Sequence, residues 1–256
     1  MNVGDLVRAM ESIAPPRLAA AWDNVGLLVG DASAPLARVL LTVDCTPSVA
    51  EEAYRSRCEA IVAYHPVLFE GQKSFVSGTM AYELARAGVA IYSPHTALDA
   101  AAGGTNDVLA DALEMTERRP LRPAVSEPAV GFGRVGAVAE QPVRRFVDRV
   151  KAALGVVQVL VAGPLDRPVS RAAVCAGSGA EFLGDAVGMG VHLFLTGELR
   201  HHDALRAIAS GVTVVCTLHS VSERRAMASL ERMLSERLGG VAVRCSAADR
   251  EPFTFV

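Results

Sequence analysis

His219 and Glu223 stand four residues apart, where a short apolar run at 212–218 gives way to an amphipathic stretch. An imidazole and a carboxylate at that spacing across a strand-to-helix turn can face one metal ion. His65 directly follows the apolar run AIVAY at 60–64, and Asp99 lies in the expected loop HTALD behind the run VAIYS at 89–93. Two imidazoles and two carboxylates without a thiolate suit zinc, iron or manganese and leave coordination positions open for water. Taken singly, each residue has a plainer reading. Ser220 to Glu223 fits the S-x-x-E capping box, His65 before Pro66 reads as a loop residue, and Asp99 ahead of AAAGG reads as a turn cap. Their joint placement reverses the balance, because groups just past the carboxyl ends of strands line the ligand crevice of open α/β sheets.

The elements that must position them alternate. Val3 to Ile13 reads as a helix ending before Pro15 and Pro16. Residues 21–30, AWDNVGLLVG, read as a tight turn against a buried Trp22. Strands follow at 38–44, 60–64 and 89–93, with helices at 47–57, where Thr46 caps and Pro47 opens the first turn, and at 79–87 between them. The loop HPVLFEGQKS follows His65. After a helix at 106–115, the proline-rich, charged stretch 116–128 reads as a link between lobes. The second half gives strands near 131–138, 156–163, 171–177, 191–197 and 212–218. Its helices are expected at 142–154, after GSGAEFL, at 202–210 and from Ser222 onward, and VAVRCS adds a last strand before the tail DREPFTFV. On the final helix, Ala226, Met227, Leu230, Met233, Leu234 and Leu238 recur at helical spacing, and Glu223 lies on the same stripe. This rhythm implies βαβ units around largely parallel sheets.

A chain of this length with 51% hydrophobic residues buries a sizeable core as one large domain or two lobes. Its 25 basic and 28 acidic residues give a formal charge of −3, which offers no electrostatic footprint for nucleic acid; Arg144, Arg145 and Arg149 beside Asp148 read as a solvated helix face. No signal-type segment and no bilayer-length apolar run is present, so a soluble, cytoplasmic protein is expected. Five cysteines without C-x-x-C suggest neither a disulfide framework nor a thiolate zinc site, and Cys175, Cys216 and Cys245 in apolar runs read as buried hydrophobes. The glycines of CAGSG fit neither phosphate-loop spacing and read as a tight turn.

The segments WDNVGLLVG, YHPVLFEGQKS, SPHTALDAAAGGTND, CAGSGAEFL, FLTGELRHHDAL, LHSVSERRAM and DREPF, in that order over nearly the whole chain, resemble the GTP cyclohydrolase I type 2 homologues, also called NIF-three-like dinuclear-metal proteins. The resemblance implies two similar α/β lobes, 1–120 and 126–256, with mixed, largely parallel sheets flanked by helices and a metal site between them. It implies a homo-oligomer, a hexameric ring built as a trimer of dimers. It further implies two divalent ions per chain, zinc, iron or manganese: His65, Asp99 and Glu223 would hold one, His219 and Glu223 the other, with Glu223 bridging. Tyr64 stands where many members carry a second histidine; its oxygen would serve as a ligand, a water would fill the gap, or the second ion would bind weakly. His95 and His202 would orient ligands or substrate, and Thr196, Gly197 and Glu198 would form part of the crevice wall. The implied activity is metal-dependent hydrolysis of a small molecule such as a nucleotide, with no membrane or nucleic-acid partner. The alternative is a non-catalytic, ring-shaped metal-binding or regulatory scaffold.

Overall fold

The computed structural model describes residues 1–71, 74–125 and 127–254, and it divides into two compact units. Gln72 and Lys73 of the expected loop after His65, Ser126 of the expected link, and the last two residues of the expected tail lie outside the described residues. Unit 1 comprises Met1–Ala101 and Met227–Pro252, and unit 2 comprises Ala102–Ala226 with the described tail residues Phe253 and Thr254.

Unit 1 opens with α1 (Val3–Ile13), whose N-terminus is closed by a reciprocal cap: Asn2 Oδ1 accepts from Asp5 N at 2.9 Å and Asp5 Oδ2 accepts from Asn2 N at 2.8 Å. Val3, Leu6, Met10 and Ile13, at helical spacing, are its buried face. Then come β1 (Gly26–Val29), β2 (Arg38–Thr42), α2 (Pro47–Arg55), β3 (Ala60–Ala63), α3 (Met80–Arg86), β4 (Ala90–Ser93) and α4 (His95–Ala100). Pro47 opens α2 and the Thr46 hydroxyl accepts from Val49 N, the cap that the sequence announces. β2, β3 and β4 pair in parallel through α2 and α3, while β1 adds an antiparallel edge. Leu40, Ile61 and Ile91 of the three parallel strands pack with Val49, Ala53 and Leu84 of the helices. At roughly 1.5–3 kcal/mol for each large apolar side chain taken from water, such contacts carry the unit's stability.

Unit 2 contains α5 (Thr105–Ala112), β5 (Thr116–Pro123), β6 (Gly131–Pro142), α6 (Val143–Leu154), β7 (Leu160–Ala162), β8 (Pro168–Ser178), α7 (Leu183–Gly188), β9 (Leu193–Glu198), α8 (His201–Ala209) and β10 (Thr213–Cys216). Its six-stranded sheet runs β5-β6-β8-β9-β10-β7, with β8, β9 and β10 parallel and the outer pairings antiparallel. The last helix, α9 (His219–Arg237), begins in unit 2 and continues past Ala226 into unit 1, where β11 (Ala242–Cys245) pairs in parallel with β2.

Several expectations are corrected. Residues 116–123 are not a link but the edge strand β5, paired antiparallel with β6. Pro120 and Pro123 are tolerated because an edge strand leaves one side of its ladder unpaired. The division at 120 to 126 gives way to one in which the chain's last helix and strand return to the first sheet. Trp22 is not buried but 60% exposed, and residues 26–29 form β1. Asp99 sits in helix α4 rather than in a loop, and α9 starts at His219, three residues before Ser222. Ser220 and Glu223 therefore lie inside the first turns and do not bracket a helix start. Among the described residues, no helix is long and apolar enough to cross a membrane.

Candidate functional site

In unit 1, the ladder between β2 and β3 runs two residues beyond the strands. Tyr64 N donates to Thr42 O at 2.9 Å and His65 N to Val43 O at 3.1 Å, which fixes both side chains at the sheet's carboxyl edge. Tyr64 is fully buried; its hydroxyl donates to Asp99 Oδ1, and its carbonyl accepts from Ser93 Oγ at 2.8 Å. His65 Nδ1 lies 2.8 Å from Asp44 Oδ1, and His95 Nδ1 lies 2.7 Å from Asp23 Oδ1. A carboxylate that accepts from Nδ1 leaves the Nε2 lone pair for a metal or a proton, the arrangement found behind most metal-bound histidines. Burial pushes the Asp23 carboxyl up, but hydrogen bonds from His95 and from the Thr96 hydroxyl and N–H outweigh it and hold the group below its ordinary value. The His65 and His95 rings meet edge to face with centroids 5.4 Å apart, and Tyr64 lies 5.3 Å from His65 and 5.9 Å from His95.

In unit 2, the first turn of α9 abuts the ends of β8 and β9. Gly177 N donates to Ser222 Oγ at 2.8 Å, Ser222 Oγ donates to His219 O at 2.6 Å, and Leu218 N donates to Gly197 O at 2.9 Å. Two glycines permit this approach. A Cβ at Gly177, whose φ is +68°, would stand 2.7 Å from Glu223 Oε1 and 3.3 Å from His219 Nε2; one at Gly197 would stand 2.8 Å from His219 Cα. This is the physical content of CAGSG and LTGE. His219 is flanked by two carboxylates, with Nδ1 3.1 Å from Glu198 Oε1 and Nε2 3.1 Å from Glu223 Oε1. Glu223 is buried. An imidazole that donates from Nδ1 to Glu198 turns its Nε2 lone pair toward the Glu223 oxygen. Two acceptors at that separation repel unless a cation, a second ring proton or a metal ion, lies with them.

The two halves share a device. In α4 and in α9 a histidine is the first helical residue after a strand, and a carboxylate follows four residues later, so His95 with Asp99 and His219 with Glu223 each share a helix face. Both turns carry a non-glycine residue at positive φ: His95 at +29° and Leu218 at +82°. Such strain persists where surrounding structure imposes it and is concentrated at functional sites.

The remaining candidates fall as follows. Thr196 is buried with Oγ1 donating to Gly177 O at 3.0 Å, behind the His219 turn. Glu198 borders a cavity of about 680 Å³ together with Ser178, Arg200, Asp203 and Arg206. His202 is exposed on α8 beside His201 and outside the lining of that cavity. The sequence reading misses Asp44 and Asp23 as orienting groups and names Glu198 only as wall. Asp44 carries a usable signal, since it follows β2 at the same kind of strand edge as His65. Among the described residues, no cysteine forms a disulfide. Burial pushes the thiols of Cys45 and Cys245 up to about 12 and that of Cys216 to about 11, which suits apolar filler rather than thiolate ligands.

Comparison with known proteins places these features in context. The family described as Duf34/NIF3 (NGG1p interacting factor 3) matches residues 1–252. The chain is 38% identical over 238 residues to a protein NIF3 homolog of Schizosaccharomyces pombe, covering 86% of this chain and 84% of that one. It is 30% identical over 262 residues, the full length of both, to a GTP cyclohydrolase 1 type 2 homolog of Clostridium perfringens. The crystal structure of a Bacillus cereus protein related to NIF3 superposes with a TM-score of 0.91 over 100% of this chain and 99% of that one at 22% identity, which is a likeness of fold.

Proposed function

The chain belongs to the Duf34/NIF3 family, and from that membership we propose that it is a metal-dependent hydrolase with a dinuclear centre. In this reading His65 and Asp99 of unit 1 and His219 and Glu223 of unit 2 would hold the ions. The observation that carries it is the setting of His219, whose ring is fixed by Glu198 on one side and meets the buried Glu223 carboxylate on the other. The residues present fit such a centre. Imidazole and carboxylate donors without thiolates suit zinc, iron or manganese, and Gly177 leaves open the space beside His219 and Glu223 that any side chain would fill.

The chemistry that two such ions supply when bound is activation of water at neutral pH. The protein's own contribution is orientation and proton handling. Asp44 and Glu198 fix the tautomers of His65 and His219, and the Tyr64 hydroxyl donates to Asp99 and sets its carboxylate plane. His95, held by Asp23 through Nδ1, has its ring edge to face with that of His65 and can carry a proton to or from substrate through Nε2. The Clostridium relative's name points to a purine nucleotide as substrate; a phosphoester would use the same metal chemistry. The protein would act in the cytoplasm as a hexamer.

A second reading is a ring-shaped binding scaffold. The family's description as an NGG1p interacting factor supports it, as does the apolar face that α8 exposes through Leu205 and Ile208. A panel of nucleotides and generic phosphoesters, assayed with and without chelator, separates the two. Turnover abolished by chelator and restored by metal is expected. A metal-loaded oligomer that turns over none of them supports the scaffold.

A further inference from the structure

Trp22, the chain's one tryptophan, is 60% exposed, and Phe69 beside it is 50% exposed. Exposed aromatic residues so close together are unusual in a chain with only 5% aromatics, and these two are firmly mounted. The loop of Trp22 is tied to the start of α4 by Ala20 N donating to Thr96 Oγ1 at 3.0 Å and by Asp23 accepting from His95 and Thr96. It is tied to the loop of Phe69 by the Asn24 amide, which donates to Leu68 O. Trp22, Asp23 and Asn24 thus have separate tasks: one ring shown to solvent, one carboxylate holding a histidine, one amide clasping the neighbouring loop.

The rings surround His95. Trp22 lies 5.8 Å from Phe69 and 6.0 Å from His95, and Phe69 lies 6.2 Å from His95, centroid to centroid. The planes are inclined by 59° to 73°, so none stacks face to face on another. His95 in turn touches His65. An aromatic corner with a hydrogen-bonding histidine at its base suits a flat ring that carries polar edges, whereas an aliphatic ligand would leave the His95 nitrogen unanswered. We propose that Trp22 and Phe69 form a stacking site for a planar nitrogen heterocycle, of the nucleobase type, and deliver it edge-on to His95. The assignment deepens the hydrolase reading by naming the substrate's recognised part, and it rests on that reading only for what happens to the ring after binding.

Because Trp22 is the sole tryptophan, its fluorescence reports the site directly. The full-length protein is titrated with guanosine 5′-monophosphate, with ribose 5-phosphate and with inorganic phosphate, using N-acetyltryptophanamide to correct for absorption. The proposal expects saturable quenching by the nucleotide and none by the two base-free probes. Phe69→Leu, which keeps the reporter, should weaken the titration roughly tenfold to a hundredfold, the range for losing one stacking partner. Trp22→Leu should weaken nucleotide binding similarly in equilibrium dialysis. Glu223→Gln should leave quenching in place. Absence of saturation, an equal response to ribose 5-phosphate, or an indole already shielded and indifferent to nucleotide, as it would be beneath another chain, overturns the proposal. Loss of quenching in a folded Glu223→Gln protein overturns it too, since the metal donors and not the rings would then hold the ligand. Persistent quenching in a protein that binds no metal and turns over nothing leaves the stacking site standing while the hydrolase reading fails.

Discussion

The acidic residues around the histidines decide what those histidines can do. Glu198 and Asp44 engage Nδ1 of His219 and His65, so the ring nitrogens left over are the ones able to bind metal. Glu198→Gln should therefore retain the fold but weaken metal retention by about 10–100-fold, the usual effect of losing an orienting partner, as read by competition with a chelator of known affinity. Gly177 makes a sharper case. Its α-carbon faces Glu223 and His219, and its φ of +68° disfavours any side chain. Gly177→Ala should lower the metal affinity at least tenfold and cost about 1 kcal/mol of stability through the backbone alone, both measurable on one preparation by metal titration and thermal melting. His65, Asp99, His219 and Glu223 are legible in the sequence because they follow strands that the β-branched runs reveal. The pairings behind the histidines are not: Asp44 shares their strand-edge position, but its partner His65 lies 21 residues away and the partner of Asp23, His95, lies 72 away, so no local pattern records either contact.

At the scale of elements, the strand, turn and helix that end in His-x-x-x-Asp or Glu recur in both units as β4–α4 and β10–α9. The sequence shows the four-residue interval at 219–223, but it hides the same interval at 95–99 because α4 has only six residues, too few for a periodic signal. The edge strand β5 is hidden for another reason, its prolines being those of a linker until the partner strand is known. Next to β5, Arg134 of β6 is buried, and its Nε and Nη2 bind the Asp107 carboxylate of α5 at 2.6 and 2.8 Å. Asp107→Ala would strand that guanidinium and should cost about 3 kcal/mol, toward the low end for a broken buried pair because the Gly131 and Gly133 carbonyls still accept from it. Burial raises the Asp107 pKa, but the Arg134 hydrogen bonds and charge outweigh it, and the folded value lies below the ordinary 3.8. A depressed carboxylate stabilises the fold fully above its unfolded pKa and loses that contribution as pH falls through the folded one. Denaturant melts of the wild type should therefore lose stability below about pH 4, and Asp107→Ala should flatten that part of the profile.

At the scale of the molecule, the chain leaves unit 1 at Ala101, builds unit 2, and returns through α9 so that β11 completes the first sheet beside β2. A linear reading of the sequence cannot show this, because it assigns each half its own sheet and sees only that both halves alternate strands and helices. The α/β class itself is legible, since short β-branched runs separated by amphipathic stretches admit little else. The proposed hexamer predicts a particle of about six chain masses by light scattering, and Leu205→Glu with Ile208→Glu on the exposed face of α8 should reduce that mass if the face is an interface between copies.

The proposed role of His219 and Glu223 in holding metal is tested by the elemental metal content of freshly purified protein beside its Glu223→Gln variant. Close to two equivalents of a divalent transition metal per chain are expected in the wild type, with loss of most of it in the variant and the fold retained. A wild-type protein that carries no metal even after reconstitution, or a variant that keeps its full complement, would contradict that role.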